Sequence, residues 1–178
     1  MEYLLRVNAG RRRMPSFLAA LSSRIGRPLS TTDVFPLERG DAIWSVVLGE
    51  LRASWKETPP AFSRWAPDAL DALDAGLRSF AGAIDDRAVL YLPASPLCIG
   101  PVLLAPEEIG AHIRAISEEA TEECTITSED GRCGLRLDYQ AVEHEHGAPF
   151  PYELSVWGTA WRAVARDTLP FMLAAPAA

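Results

Sequence analysis

The chain has 178 residues, 48% hydrophobic and 23% charged, with a formal net charge of −7 at pH 7. That balance supplies enough apolar residues for a sizeable core and excludes global disorder, and no apolar run is long enough to span a bilayer. The net negative charge also has the wrong sign for direct nucleic-acid binding.

The length fits one domain over residues 1–178, with a helical N-terminal subdomain over 1–66 as the alternative division. The N-terminus lacks a signal-peptide layout. Arg11, Arg12 and Arg13 follow a strand-like segment, and the apolar piece after them is short and interrupted. A bacterial cytoplasmic protein is the expectation. Lys56 is the only lysine among many arginines and alanines, which points to a GC-rich coding sequence. Cys98, Cys124 and Cys133 form an odd, widely spaced set without a CxxC, as expected of reduced thiols. Cys124 and Cys133 flank one hairpin, so the spacing leaves open that they face each other.

In chain order, Glu2–Asn8 (EYLLRVN) reads as a first strand, and Gly10 with the three arginines reads as a basic turn. Met14–Ile25 carries Phe17, Leu18, Leu21 and Ile25 at helical spacing, with Pro15 suited to a first turn and Gly26 to an end. A cationic cluster beside a helix N-terminus is also a candidate anion site. Asp41–Trp55 reads as a helix capped by Asp41 and ended by Thr58-Pro59-Pro60, with a strand over its first half, IWSVV, as the alternative. Trp44, Trp55 and Trp65 are read as packing residues, with an aromatic ligand pocket as the sharper alternative.

Pro67–Ile84 is the clearest amphipathic helix, with Leu70, Leu73, Leu77, Phe80 and Ile84 on one face. Ala88–Leu92 reads as a buried strand. Leu97–Leu104 contains Gly100-Pro101 and reads as a bent or edge strand. Ala105–Ala120 reads as one helix with Ile109, Ile113 and Ile116 inward. Cys124–Tyr139 is a hairpin whose turn is Glu129-Asp130-Gly131-Arg132, because Asp-Gly is a strong short-range turn signal. Tyr152–Trp157 alternates as a last strand, residues 159–168 form a terminal helix, and the tail from Pro170 is expected to fray. The class is α+β: an antiparallel sheet built around the 124–139 hairpin and the 152–157 strand, covered by amphipathic helices.

Motifs for chemistry are sparse. No GxSxG, HExxH, P-loop or GxGxxG occurs. His144 and His146 are the one clustered pair of metal-like ligands, a weak HxH signal beside Glu143 and Glu145. Cys98 with His112 or His144 is the least implausible nucleophile–base pair. No cofactor is expected.

Charge distribution says more. Residues 1–106 carry 12 basic and 11 acidic side chains, whereas residues 107–153 carry 3 basic and 12 acidic. Glu118, Glu119, Glu122 and Glu123 crowd the end of one helix and the link after it, and Glu129 and Asp130 occupy the hairpin turn. An acidic surface of this kind steers a basic protein into contact and raises its association rate.

The segments TSEDGRCGLRLDY and PYELSVWG, in this acidic setting without catalytic motifs, resemble the immunity proteins of bacterial polymorphic-toxin and contact-dependent systems. The resemblance covers the last half of the chain. It implies a protein that neutralises a basic toxin or effector domain by covering it. The implied contacts are Glu118, Glu119, Glu122, Glu123, Glu129 and Asp130, with Tyr139 or Trp157 as anchors where exposed. Two other classes stay open from the residues: a small metal-dependent or cysteine/histidine enzyme using His144 and His146, and a small-ligand or scaffold module built on the tryptophans.

Overall fold

A computed structural model describes residues 2–93, 98–119, 123–139 and 150–173. Its centre is a six-stranded sheet in the order β1-β6-β5-β4-β2-β3, with every neighbouring pair antiparallel. The strands are β1 (Ala61–Trp65), β2 (Val89–Leu92), β3 (Val102–Leu104), β4 (Glu123–Thr127), β5 (Gly134–Tyr139) and β6 (Phe150–Trp157). The helices are α1 (Glu2–Ile25), α2 (Leu37–Glu57), α3 (Leu70–Ala83), α4 (Pro106–Gly110), α5 (Ile113–Glu119), α6 (Thr159–Thr168) and α7 (Pro170–Leu173). The architecture is α+β.

Alternation along the strands sets the two layers. Val89 and Tyr91, Cys124 and Ile126, Leu135 and Leu137, and Tyr152 and Leu154 pack on one side with residues of α3 to α6 in the larger core. Leu90, Leu92 and Trp157 point the other way and meet Ile43, Val47 and Leu51 of α2. The expected hairpin is β4 and β5, and the expected last strand is β6. The inward stripes of the 67–84 and 105–120 segments are buried as expected at Leu73, Leu77, Phe80, Ile109, Ile113 and Ile116.

Several expectations fail for identifiable reasons. Residues 2–8 are helical, and the arginine triplet lies inside α1 rather than in a turn. Tyr3, Val7, Gly10, Met14, Leu18 and Leu21 recur at intervals of three or four, so one helical stripe runs through the segment read as a strand. Gly10 sits where a Cβ would lie 2.1 Å from the Cys98 carbonyl oxygen, so its glycine serves close packing and not a turn. Pro15 is likewise inside the helix, not at its first turn.

The 105–120 helix is two helices, broken where the His112 amide bonds back to the Ile109 carbonyl at 2.8 Å. Just before the break, Gly110 packs so tightly on α3 that a Cβ would be 2.3 Å from that of Ala81. The 61–65 segment, not recognised as a strand, is the β1 edge, with Ala61 and Trp65 packed on the larger core and Phe62 exposed. Beyond Pro170 the chain makes a helical turn that buries Met172, so the start of the tail is part of the core.

Candidate functional site

The β4–β5 connection, residues 128–133, is a tightly built turn that carries Glu129, Asp130 and the exposed Arg132, which lies 3.8 Å from the Asp130 carboxylate. The Ser128 amide donates to the Cys133 carbonyl at 2.9 Å and the Gly131 amide to the Ser128 carbonyl at 2.9 Å. Gly131 takes φ 77°, which a residue with a Cβ rarely adopts. The Asp130 carboxylate accepts from the Arg132 amide at 3.0 Å and from the Ser128 hydroxyl at 2.8 Å. Those donors, the amide first, hold its carboxyl below the usual carboxylate range. From beneath, the buried Trp157 donates its indole N–H to the Gly131 carbonyl at 2.9 Å. The turn therefore has a fixed shape while Glu129 and Asp130 keep 57% and 64% of their side-chain surface in solvent. Gly131 also rests on α2 beside the exposed Val46.

The other expected contact residues do not join this tip in one patch. Glu118 is drawn inward on α5, where it pairs with Arg114 at 2.7 Å and accepts a hydrogen bond from the Tyr152 hydroxyl. Burial and that carboxylate together push the Tyr152 hydroxyl up from its ordinary value. Glu119 pairs with Arg24 of α1 but stays 65% exposed. Glu123 lies on the sheet face shared with Arg136, 2.6 Å from it, and Asp138 completes the trio at 2.7 Å. Glu129 itself has Arg39 at 3.4 Å. Glu122 lies outside the described residues. The acidic excess that reads as one surface in the sequence is thus largely divided among internal arginines. The signal for this was the alternation of Arg136 between Leu135 and Leu137, which puts a cation on the same face as Glu123.

Of the two proposed anchors, Trp157 is fully buried and serves as a support for the turn. Tyr139 is half-buried and packs at 5.4 Å between ring centroids against Tyr152. The three tryptophans do not form one pocket. Trp44 packs on the smaller core, Trp55 donates to the Ser155 hydroxyl at 3.1 Å, and Trp65 meets Phe171 at 5.2 Å on the opposite side of the sheet.

Cys124 faces Leu137 in the ladder rather than Cys133, because the 128–133 connection leaves Cys133 outside the paired strands. All three cysteines are free thiols, and burial pushes those of Cys124 and Cys133 up, away from thiolate character. Cys98 lies against Gly10 of α1, whereas His112 has Arg24 and Asp74 as its charged neighbours. His144 and His146 lie outside the described residues. Among the described residues no group of three or more His, Cys, Asp or Glu is arranged to hold a metal ion.

A second concave feature is hidden in the sequence, because the first part of its wall, residues 2–8, has a strand-like pattern and only the part from Met14 a helical one. The stripe of α1 from Tyr3 through Val7, Met14 and Leu18 lines an open groove of about 870 Å³, closed on its other side by residues 29–38. Arg11 and Glu38, both exposed, are among its lining residues. Comparison of the chain with family models, with curated proteins and with solved structures finds no match.

Proposed function

We propose that the chain is a binding protein of the immunity type, one that neutralises a basic effector domain, and that the β4–β5 tip is its acidic contact. The observation that carries this reading is the combination of a fixed turn and exposed carboxylates. Glu129 and Asp130 project from a loop whose shape is held by Ser128, Gly131 and the indole of Trp157. Ordering a loop on binding costs affinity, and a loop already in its bound shape avoids that cost. Exposed carboxylates steer a basic partner by raising the association rate. Val46, exposed beside Gly131, adds an apolar spot next to a turn that carries Glu129, Asp130 and the exposed Arg132.

The arrangement narrows the expected contact set. Glu118 and Glu123 hold internal arginines, so their role is structural; Glu119 remains as an outlying exposed carboxylate. The test is capture of partners from the native host with the tagged protein, at low and then high salt, followed by mass spectrometry. The reading expects a stoichiometric basic protein whose retention falls with salt. Recovery of the chain with no basic partner at low salt would overturn it.

A further inference from the structure

We infer that the α1 groove is a self-association surface, in which two copies of this chain pair their first helices antiparallel about a two-fold axis near Val7. Three observations lead there. First, Tyr3, which lines the groove, is 40% exposed, and Leu4 next to it in the chain is 64% exposed. Apolar surface of that kind beside a groove marks an interaction site.

Second, the groove is held open in a fixed shape. Arg6 makes two hydrogen bonds to the Asp41 carboxylate, at 2.8 and 3.1 Å, and the Tyr3 hydroxyl donates to Glu38, so α1 and the start of α2 are clamped together.

Third, the charges in the groove complement a copy of themselves. Arg11 lines the groove with its side chain exposed and takes no part in the ion pairs between described residues, although the same helix uses Arg6 and Arg24 in such pairs. Glu38 lines the groove beside Tyr3, accepts from that neutral hydroxyl, and takes no part in the ion pairs between described residues. Tyr3 and Arg11 are eight residues apart on one helix, about 12 Å at 1.5 Å per residue. In an antiparallel pair centred on Val7, Arg11 of each copy comes opposite Tyr3 of the other, and so beside the other's Glu38. A two-fold interface needs this reciprocity, in which a residue meets its complement twice. A foreign acidic helix would satisfy Arg11 but meet Glu38 at the other end, which favours a second copy as occupant.

The experiment is sedimentation equilibrium of the untagged full chain over micromolar to submillimolar concentration. The expected result is a concentration-dependent species of twice the 19.4 kDa subunit mass. Arg11→Glu and Glu38→Arg should each shift the midpoint to at least tenfold higher concentration, and the double exchange Arg11→Glu/Glu38→Arg should restore it. Far-UV circular dichroism establishes that each variant is folded. As a second variant, Val7→Cys in a Cys98→Ser background should form an intermolecular disulfide under mild oxidation, which the background alone does not. A chain that stays monomeric throughout overturns the inference, even where it captures an acidic helix instead. A dimer indifferent to both single reversals, and not cross-linked through position 7, overturns it equally.

Discussion

Gly134 and Trp157 face each other across β5 and β6, and the indole lies so close that a Cβ on residue 134 would sit 2.0 Å from its Cζ2 atom. The glycine is what lets the tryptophan lie flat over the strand and reach the Gly131 carbonyl. Gly134→Ala must therefore displace a fully buried ring. The expected loss is about 1–3 kcal/mol, the ordinary cost of overpacking, read as a lower urea midpoint at unchanged slope. An unaltered midpoint would mean that the ring moves aside freely and does not hold the turn.

Trp157→Phe separates packing from the hydrogen bond. The ring still fills much of the space, but the Gly131 carbonyl loses its donor. A stability loss near 1 kcal/mol is expected for the bond alone, more with the smaller ring. Amide exchange at Gly131 and Arg132 should quicken more than at β2. Equal acceleration everywhere would contradict a local bracing role.

Thr125 is buried, and its hydroxyl has no hydrogen-bond partner among the described residues. A buried unpaired hydroxyl is destabilising. Thr125→Val should be neutral or stabilise the protein by up to about 1–2 kcal/mol, measured as a raised melting temperature. A clear loss of stability would show that the hydroxyl is used.

His112 gives the fold a pH dependence. Burial, reinforced by Arg24 and opposed by Asp74, lowers its pKa in the folded chain. The unfolded chain, with an imidazole pKa of about 6.5, then binds more protons in the range below that value. Stability is therefore fully present above the unfolded pKa and is lost as pH falls through the folded one. Chemical denaturation at pH 7.5 and 5.5 should show this loss, and His112→Gln should reduce it. A variant with the same pH dependence as the wild type would assign the effect to other groups.

How much was legible in the sequence follows from which interactions are local. The hairpin, α3 and β6 rest on periodicity and on the Asp130-Gly131 turn, and each stands where the pattern put it. The start of α1 passes for a strand because Tyr3, Leu4, Leu5 and Val7 make a short apolar run, while its helical stripe is visible only with Gly10, Met14 and Leu18 included. β1 escaped because Phe62 and Arg64 face one side and Ala61, Ser63 and Trp65 the other, a weak contrast that becomes a strand through β6. The site was half legible. Glu129 and Asp130 sit in the turn the residues demand. The withdrawal of Glu118 and Glu123 depends on Arg114 and Arg136, whose pairing is set by how strands and helices pack.

The central claim is that Glu129 and Asp130 steer a basic partner onto a fixed turn, and the association rate of the captured partner with Glu129→Lys tests it most directly. Glu129 is the residue to reverse, because Asp130 also holds the turn through Ser128 and Arg132. Asp71→Lys, on the exposed side of α3, is the control. The account predicts association slowed at least severalfold at low salt by Glu129→Lys, a difference that shrinks as salt is raised, and little change for Asp71→Lys. Equal rates for wild type and Glu129→Lys at low salt would contradict it.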